Sequence, residues 1–147
     1  MSEEQSTIQE RSSRSLETVE LSVLIPVFDE VETLPQLAER LVESLNTIDK
    51  RYEVILIDDG SRDDSVNVIL RISQDYPGFR GVFLARNYGQ STALQAGFDH
   101  ALGDCIVTMD ADLQNDPADI PMLLEKLEAD NLDVVCGWRR NRNDPLM

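Results

Sequence analysis

The stretch MDADLQND, residues 109–116, sets Asp110 and Asp112 one residue apart, directly behind the apolar run CIVTM. Two carboxylates so close repel one another unless a cation lies between them, and hard carboxylate oxygens suit a hard divalent ion. Gln114, two residues on, can add a neutral oxygen. Aspartates at a strand end also serve as helix caps, and Asp116 before Pro117 has that position.

Asp110 and Asp112 follow one of five strand-length apolar runs: LSVLIPV, YEVILID, FRGVFLA, CIVTM and LDVVCG. Helical periodicity separates them. The first helix carries Leu34, Leu37, Ala38, Leu41, Val42 and Leu45 on one face, with Thr33 and Gln36 at capping-box spacing at its start. The second follows the acidic turn Asp63-Asp64, faces inward with Val66, Ile69, Leu70 and Ser73, and ends at Pro77-Gly78. A third runs through STALQAGFDHAL, and its small residues Ala93, Ala96 and Gly97 let it lie close on a sheet. A fourth turns Ile120, Leu123, Leu124 and Leu127 inward. Near-continuous apolar strands alternating with helices predict an α/β, Rossmann-like fold, a mostly parallel sheet covered on both faces.

Ligands of such sheets bind beyond the carboxyl ends of the strands. Those ends carry Phe28, Asp29 and Glu30; Asp58, Asp59, Gly60 and Ser61; Arg86, Asn87 and Gly89; Asp110, Asp112 and Gln114; and Arg139 and Arg140. Carboxylates and arginines gathered at one edge suit a cation and a phosphorylated ligand sharing one site. Neither GxGxxG nor GxxxxGK[ST] is present, so a metal must do most of the phosphate holding. The DDGS segment reads either as an Asx-type turn or as a strand tip whose Asp59 accepts from a base or ribose. His100 reads as structural.

The 147 residues carry a formal net charge of -15, which argues against nucleic acid as a partner and against direct adsorption to anionic lipid. Cys105 and Cys136 lie in apolar runs without metal-ligand spacing and read as buried thiols of a reducing, cytoplasmic compartment. Residues 1–20 are polar and aperiodic, a disordered tail ahead of a domain spanning 21–147.

The segments PVFDE, IDDGSRDDS, ARNYGQSTALQAG, MDADLQNDP and DVVCGWR, in this order, resemble the glycosyltransferase family 2 catalytic domain in its polyprenyl-phosphate branch, from about Leu21 to Arg142. The resemblance implies a GT-A fold and transfer of a sugar, with inversion, from a nucleotide-diphosphate sugar, UDP-glucose favoured, to a polyprenyl phosphate such as undecaprenyl or dolichyl phosphate. It implies that Pro26, Phe28, Glu30, Ile57 and Asp59 line the nucleoside pocket. Asp110 and Asp112, with Ala111 between them and Gln114 beyond, hold Mg2+ or Mn2+ against the diphosphate, and Arg139 reaches the phosphates or the sugar. Phe28 and Asp29 stand where the family usually has Tyr and Asn. Members continue past the GWR segment with an acceptor portion that meets the membrane, so the expectation is an incomplete domain that binds donor and metal better than it transfers. Three alternatives remain at this point: a receiver-like phosphoacceptor domain, against which the absence of any Lys after Lys126 counts, a haloacid-dehalogenase-type phosphatase, against which Gln114 in the place of its Thr or Val counts, and a non-catalytic nucleotide-sugar-binding remnant.

Overall fold

Four of the five apolar runs pair into one sheet in the computed structural model, which describes residues 18–137. Strands β1 (Leu21–Val27), β2 (Tyr52–Asp58), β3 (Phe79–Phe83) and β4 (Cys105–Thr108) stand in the order β3-β2-β1-β4. All three pairings are parallel, with Leu21 opposite both Tyr52 and Cys105, and Val54 opposite Phe79. Helices α1 (Leu34–Leu45), α2 (Ser65–Asp75), α3 (Gln90–His100) and α4 (Ile120–Ala129) connect or follow the strands, and a short 3-10 turn at Pro117–Asp119 precedes α4.

Alternation along the strands divides the core in two. Leu21, Val23, Ile25 and Val27 of β1 and Val54 and Leu56 of β2 face α1, α2 and α4. Leu24, Ile55 and Ile57 face α3 and its Ala93. Gly97 makes that second contact close, because a Cβ there would stand 2.9 Å from the Ile57 side chain and 3.3 Å from Leu24. The α/β class with helices on both faces is thus present.

Several local expectations differ. LDVVCG forms no strand: residues 132–137 are mostly exposed, Val134 at 74%, because no sheet position or helix covers them. Cys136 is accordingly exposed rather than buried, and Cys105 is half-buried, its thiol pushed up by burial. Helix α2 buries Ser65, Ile69 and Ile72 while Leu70 is 46% exposed, a rotation of the inward face away from Leu70 and Ser73. Thr33 precedes α1 but makes no side-chain cap, because its hydroxyl is engaged elsewhere. Of residues 1–20 only the last three are described; Thr18 accepts from the Arg51 guanidinium through its carbonyl at 2.6 Å.

Opposite the acidic edge, the amino ends of the strands carry a partly buried ion pair. Glu53 of β2, 5% exposed, accepts from Ser22 Oγ at 2.7 Å, Arg80 Nε at 3.1 Å and Leu102 N at 2.8 Å. Arg80 also donates to the carbonyl of His100, and Gly103 N donates to Ser22 Oγ at 2.8 Å. Three strands and the exit of α3 are tied at one carboxylate.

Candidate active site

The sheet order reverses between β1 and β4, and the crevice of an open parallel sheet forms where the order reverses. A cleft of about 180 Å³ lies there, lined by Pro26 of β1, Thr108, Met109 and Asp110 at the end of β4, Gln90 and Leu94 of α3, and Asn115.

Asp110 is half-buried at the cleft wall, and its Oδ1 accepts from Gln90 Nε2 at 2.9 Å. Asp112, also half-buried, accepts from the Gln114 backbone N–H at 3.1 Å, which bends the loop back on itself. Leu113 between them sits at φ 64, a conformation a leucine adopts only when its surroundings hold it there. Met109 and Ala111 anchor this loop in the α1-side core at 7% and 3% exposure. Anchored apolar residues therefore alternate with the acidic pair, so Asp110 and Asp112 project while the backbone is pinned. Asp116 caps the 3-10 turn through the Ala118 N–H at 3.0 Å, as its position before Pro117 predicts.

The β1–α1 and β2–α2 loops are laced together. Asp29 N donates to Ser61 Oγ at 3.0 Å, Glu30 N to Ser65 Oγ at 3.1 Å and Val31 N to Asp63 Oδ2 at 3.3 Å. In return Asp29 Oδ1, on a residue at φ 52, accepts from Arg62 N at 2.7 Å and Asp63 N at 3.2 Å. Burial pushes the Asp63 carboxyl up, but hydrogen bonds from Ser65 and Val31 outweigh that and hold it below the usual carboxylate value. Phe28 stays 37% exposed, with the Arg62 guanidinium 5.5 Å from its ring centre.

The Asx-turn reading of DDGS has its counterpart in the geometry. Asp58 Oδ2 accepts from Ser61 N at 3.0 Å, closing the turn around Gly60, while Asp58 Oδ1 is buried with no hydrogen-bond partner among the described residues. Asp59, 4% exposed, accepts from Tyr88 N at 2.8 Å and Gly89 N at 3.0 Å, so its carboxylate anchors the loop after β3. Ile57 is fully buried under α3 and presents no side-chain surface, so, contrary to expectation, it does not line the cleft. Pro26 reaches the cleft, and Glu30 contacts Thr33 Oγ1 at 3.0 Å. Arg86 stacks over Tyr88 at 4.8 Å. Arg139 and Arg140 lie outside the described residues.

Comparison with known proteins decides the family. The sequence profile of "Glycosyl transferase family 2" matches residues 22–146. The chain belongs to glycosyl transferase family 2. One family relative, a dodecaprenyl-phosphate galacturonate synthase of Rhizobium johnstonii, is 44% identical over 132 residues, 89% of this chain and 39% of that protein. An undecaprenyl-phosphate 4-deoxy-4-formamido-L-arabinose transferase of Sodalis glossinidius is 48% identical over 126 residues, 84% of this chain and 38% of that protein. The chain thus spans well under half the length of these curated relatives. In fold it is similar to glucosyl-3-phosphoglycerate synthase from Mycobacterium tuberculosis solved with Mn2+ and UDP, at TM-score 0.58 and 22% identity over 79% of this chain and 41% of that one. It is also similar to S. aureus TarS in complex with UDP-GlcNAc, at TM-score 0.59 and 18% identity over 75% of this chain and 31% of that one. The GT-A class follows from these neighbours. Among the described residues no helix is long and apolar enough to cross a membrane.

Two features escaped the sequence. Gln90 lies inside the quoted ARNYGQ segment, yet an exposed glutamine opening a helix carries no periodic signal. Thr33 looked like a cap, and only the fold shows its hydroxyl donating to Ala111 O at 2.8 Å.

Proposed function

We propose that this chain is the donor-binding part of an inverting glycosyltransferase that moves a sugar from a nucleotide-diphosphate sugar, UDP-glucose favoured, to a polyprenyl phosphate such as undecaprenyl phosphate. The observation carrying this reading is Asp110 and Asp112, projecting from an anchored loop at the point where the strand order reverses, in a chain whose curated relatives are polyprenyl-phosphate sugar transferases.

The residues present fit a divalent cation. Among the described residues no three acidic, His or Cys side chains converge into a finished cage. Two carboxylates leave several of a six-coordinate ion's positions for phosphate oxygens and water, as befits a cation that arrives with its nucleotide. Asp110 and Asp112 would hold Mg2+ or Mn2+, with Gln114 as a neutral neighbour. When bound, the cation neutralises charge growing on the departing diphosphate.

The chain's own groups do the rest. Pro26, Phe28, Glu30 and Asp59 receive the nucleoside, with Ile57 beneath them and Ala111 beside the metal pair, and Arg139 is assigned to the phosphates or the sugar. A phosphate oxygen of the acceptor attacks the anomeric carbon as its bond to the diphosphate breaks, releasing the nucleoside diphosphate. That acceptor is already ionised at neutral pH, so no strong general base is needed. His100, the sole histidine, ends α3 about 15 Å along the helix from Gln90 and binds its own Ala96 carbonyl at 2.8 Å. The receiver-like alternative loses its ground to the family membership. The domain as a whole is assigned to residues 21–147, working at the cytoplasmic face of a membrane.

The test is transfer of label from radiolabelled UDP-glucose into the organic phase in the presence of undecaprenyl phosphate and Mn2+. The relatives' lengths call for the same assay on this chain and on a longer form reaching their length. Lipid-borne label that disappears with EDTA or with Asp110→Asn supports the proposal. Donor binding with no transfer by either form would leave the non-catalytic remnant in its place.

A further inference from the structure

We infer that Gln90 is the positioning residue of the cation site, fixing the Asp110 carboxylate in the orientation that receives the ion. The inference rests on reading Asp110 as a cation ligand.

Asp110 lies just past the end of β4, an edge strand of the described sheet, where its side chain would otherwise sample several rotamers. Gln90 Nε2 donates to its Oδ1 at 2.9 Å across the cleft that both residues line. That bond leaves Oδ2 and the second lone pair of Oδ1 for a cation. The donor is an amide and not an ammonium, so it orients the carboxylate without neutralising it. Lysine here would donate as well but would place its own charge where the ion should go.

Gln90 is itself held from behind. It follows directly on Tyr88 and Gly89, whose N–H groups are both taken by Asp59 at the tip of β2. Gly89 takes φ 104, ψ 161, a region only glycine occupies at low cost, and this turns the chain into α3. One turn on, Ala93 is fully buried, and Gly97 brings α3 hard against the sheet. The glutamine thus springs from a fixed helix start and reaches the one acidic residue of the cleft. Groups that orient metal ligands in this way are worth roughly ten- to a hundredfold in metal affinity.

The experiment is titration of free Mn2+ by electron paramagnetic resonance in the presence of UDP, on the wild-type chain, Gln90→Ala, Gln90→Lys, Asp110→Asn and the Gln90→Ala/Asp110→Asn double variant. Gln90→Ala is expected to weaken Mn2+ binding about tenfold, and Gln90→Lys more. In the Asp110→Asn background, Gln90→Ala should cause no further loss, because the bond it removes acts through Asp110. The side chain is exposed, so the melting temperature of Gln90→Ala should stay within about a degree or two of wild type. Wild-type Mn2+ affinity in Gln90→Ala, or an equal loss in both backgrounds, would overturn the assignment while leaving the cation site standing. No Mn2+ binding by the wild-type chain would overturn the cation site and this inference with it.

Discussion

Thr33 donates its hydroxyl to the carbonyl of Ala111 at 2.8 Å, joining the loop after β1 to the acidic loop after β4 across 78 positions of sequence. The carbonyl it serves lies between the two aspartates. Thr33→Val keeps the shape and deletes the donor, leaving a largely buried carbonyl unpaired at a cost of about 1–3 kcal/mol. Thr33→Ser should recover most of that. Urea unfolding of the three proteins checks the order, and Thr33→Val as stable as wild type would mean the bond carries no weight.

At the other end of the sheet, Glu53→Ala should be the more damaging change. It strands the Arg80 guanidinium, Ser22 and the Leu102 N–H around an empty, mostly buried spot. Each neutral donor left unpaired there costs about 1–3 kcal/mol, while Arg80, 38% exposed at its side chain, can turn to water. Arg80→Ala removes one donor and leaves the Glu53 carboxylate its bonds from Ser22 and the Leu102 N–H, so it should cost less. Equilibrium unfolding gives both values, and the reverse order would refute this account of the network.

Gly60 marks a closer approach than any side chain allows. Its φ is +69, and a Cβ would stand 2.3 Å from the Arg86 carbonyl carbon and 2.4 Å from the Asn87 nitrogen. Both neighbours are backbone, so neither can swing aside. Gly60→Ala is expected to destabilise by about 2 kcal/mol or more and to loosen the loop leading to Gln90. Hydrogen exchange at Tyr88 and Gly89 reads that loosening directly, since their amides are the ones bound to Asp59.

Acid should loosen the paired loops before the core. The Asp63 carboxyl is held below its ordinary value in the folded chain by hydrogen bonds that outweigh burial, so the folded state binds its proton less readily than the unfolded state. Its contribution is therefore complete above about pH 4 and fades as pH falls through the lower folded value. Asp63→Asn should flatten that part of the stability profile, which denaturation midpoints between neutral pH and pH 3 will show. An unchanged profile would sever Asp63 from the effect.

What was legible in the sequence divides along physical lines. Strands β1 to β4 and the inward face of α1 were readable because burial on both sides of a parallel sheet writes itself as continuous apolar runs and 3.6-residue spacing. The place of Asp110 and Asp112 just past β4 and the cap at Asp116 were readable because charge at a strand end is conspicuous. LDVVCG misled for the same reason the others succeeded: an apolar run states a capacity for pairing, and pairing needs a partner position that the described sheet does not supply. The face of α2 was misplaced by one or two residues because Leu70 and Ile72 satisfy the pattern equally well. Gln90, Thr33 and the Glu53 network were out of reach, since each depends on partners 20 to 78 positions away.

The most direct measurement is calorimetric titration of the chain with UDP, GDP, UDP-glucose and GDP-mannose, each with Mn2+ and again with EDTA. The predicted result is binding of UDP and UDP-glucose that requires Mn2+ and is lost in Asp112→Asn, whose fold stays intact. Nucleotide binding of equal strength in EDTA, or in Asp112→Asn, would contradict the assignment of the acidic loop to a cation.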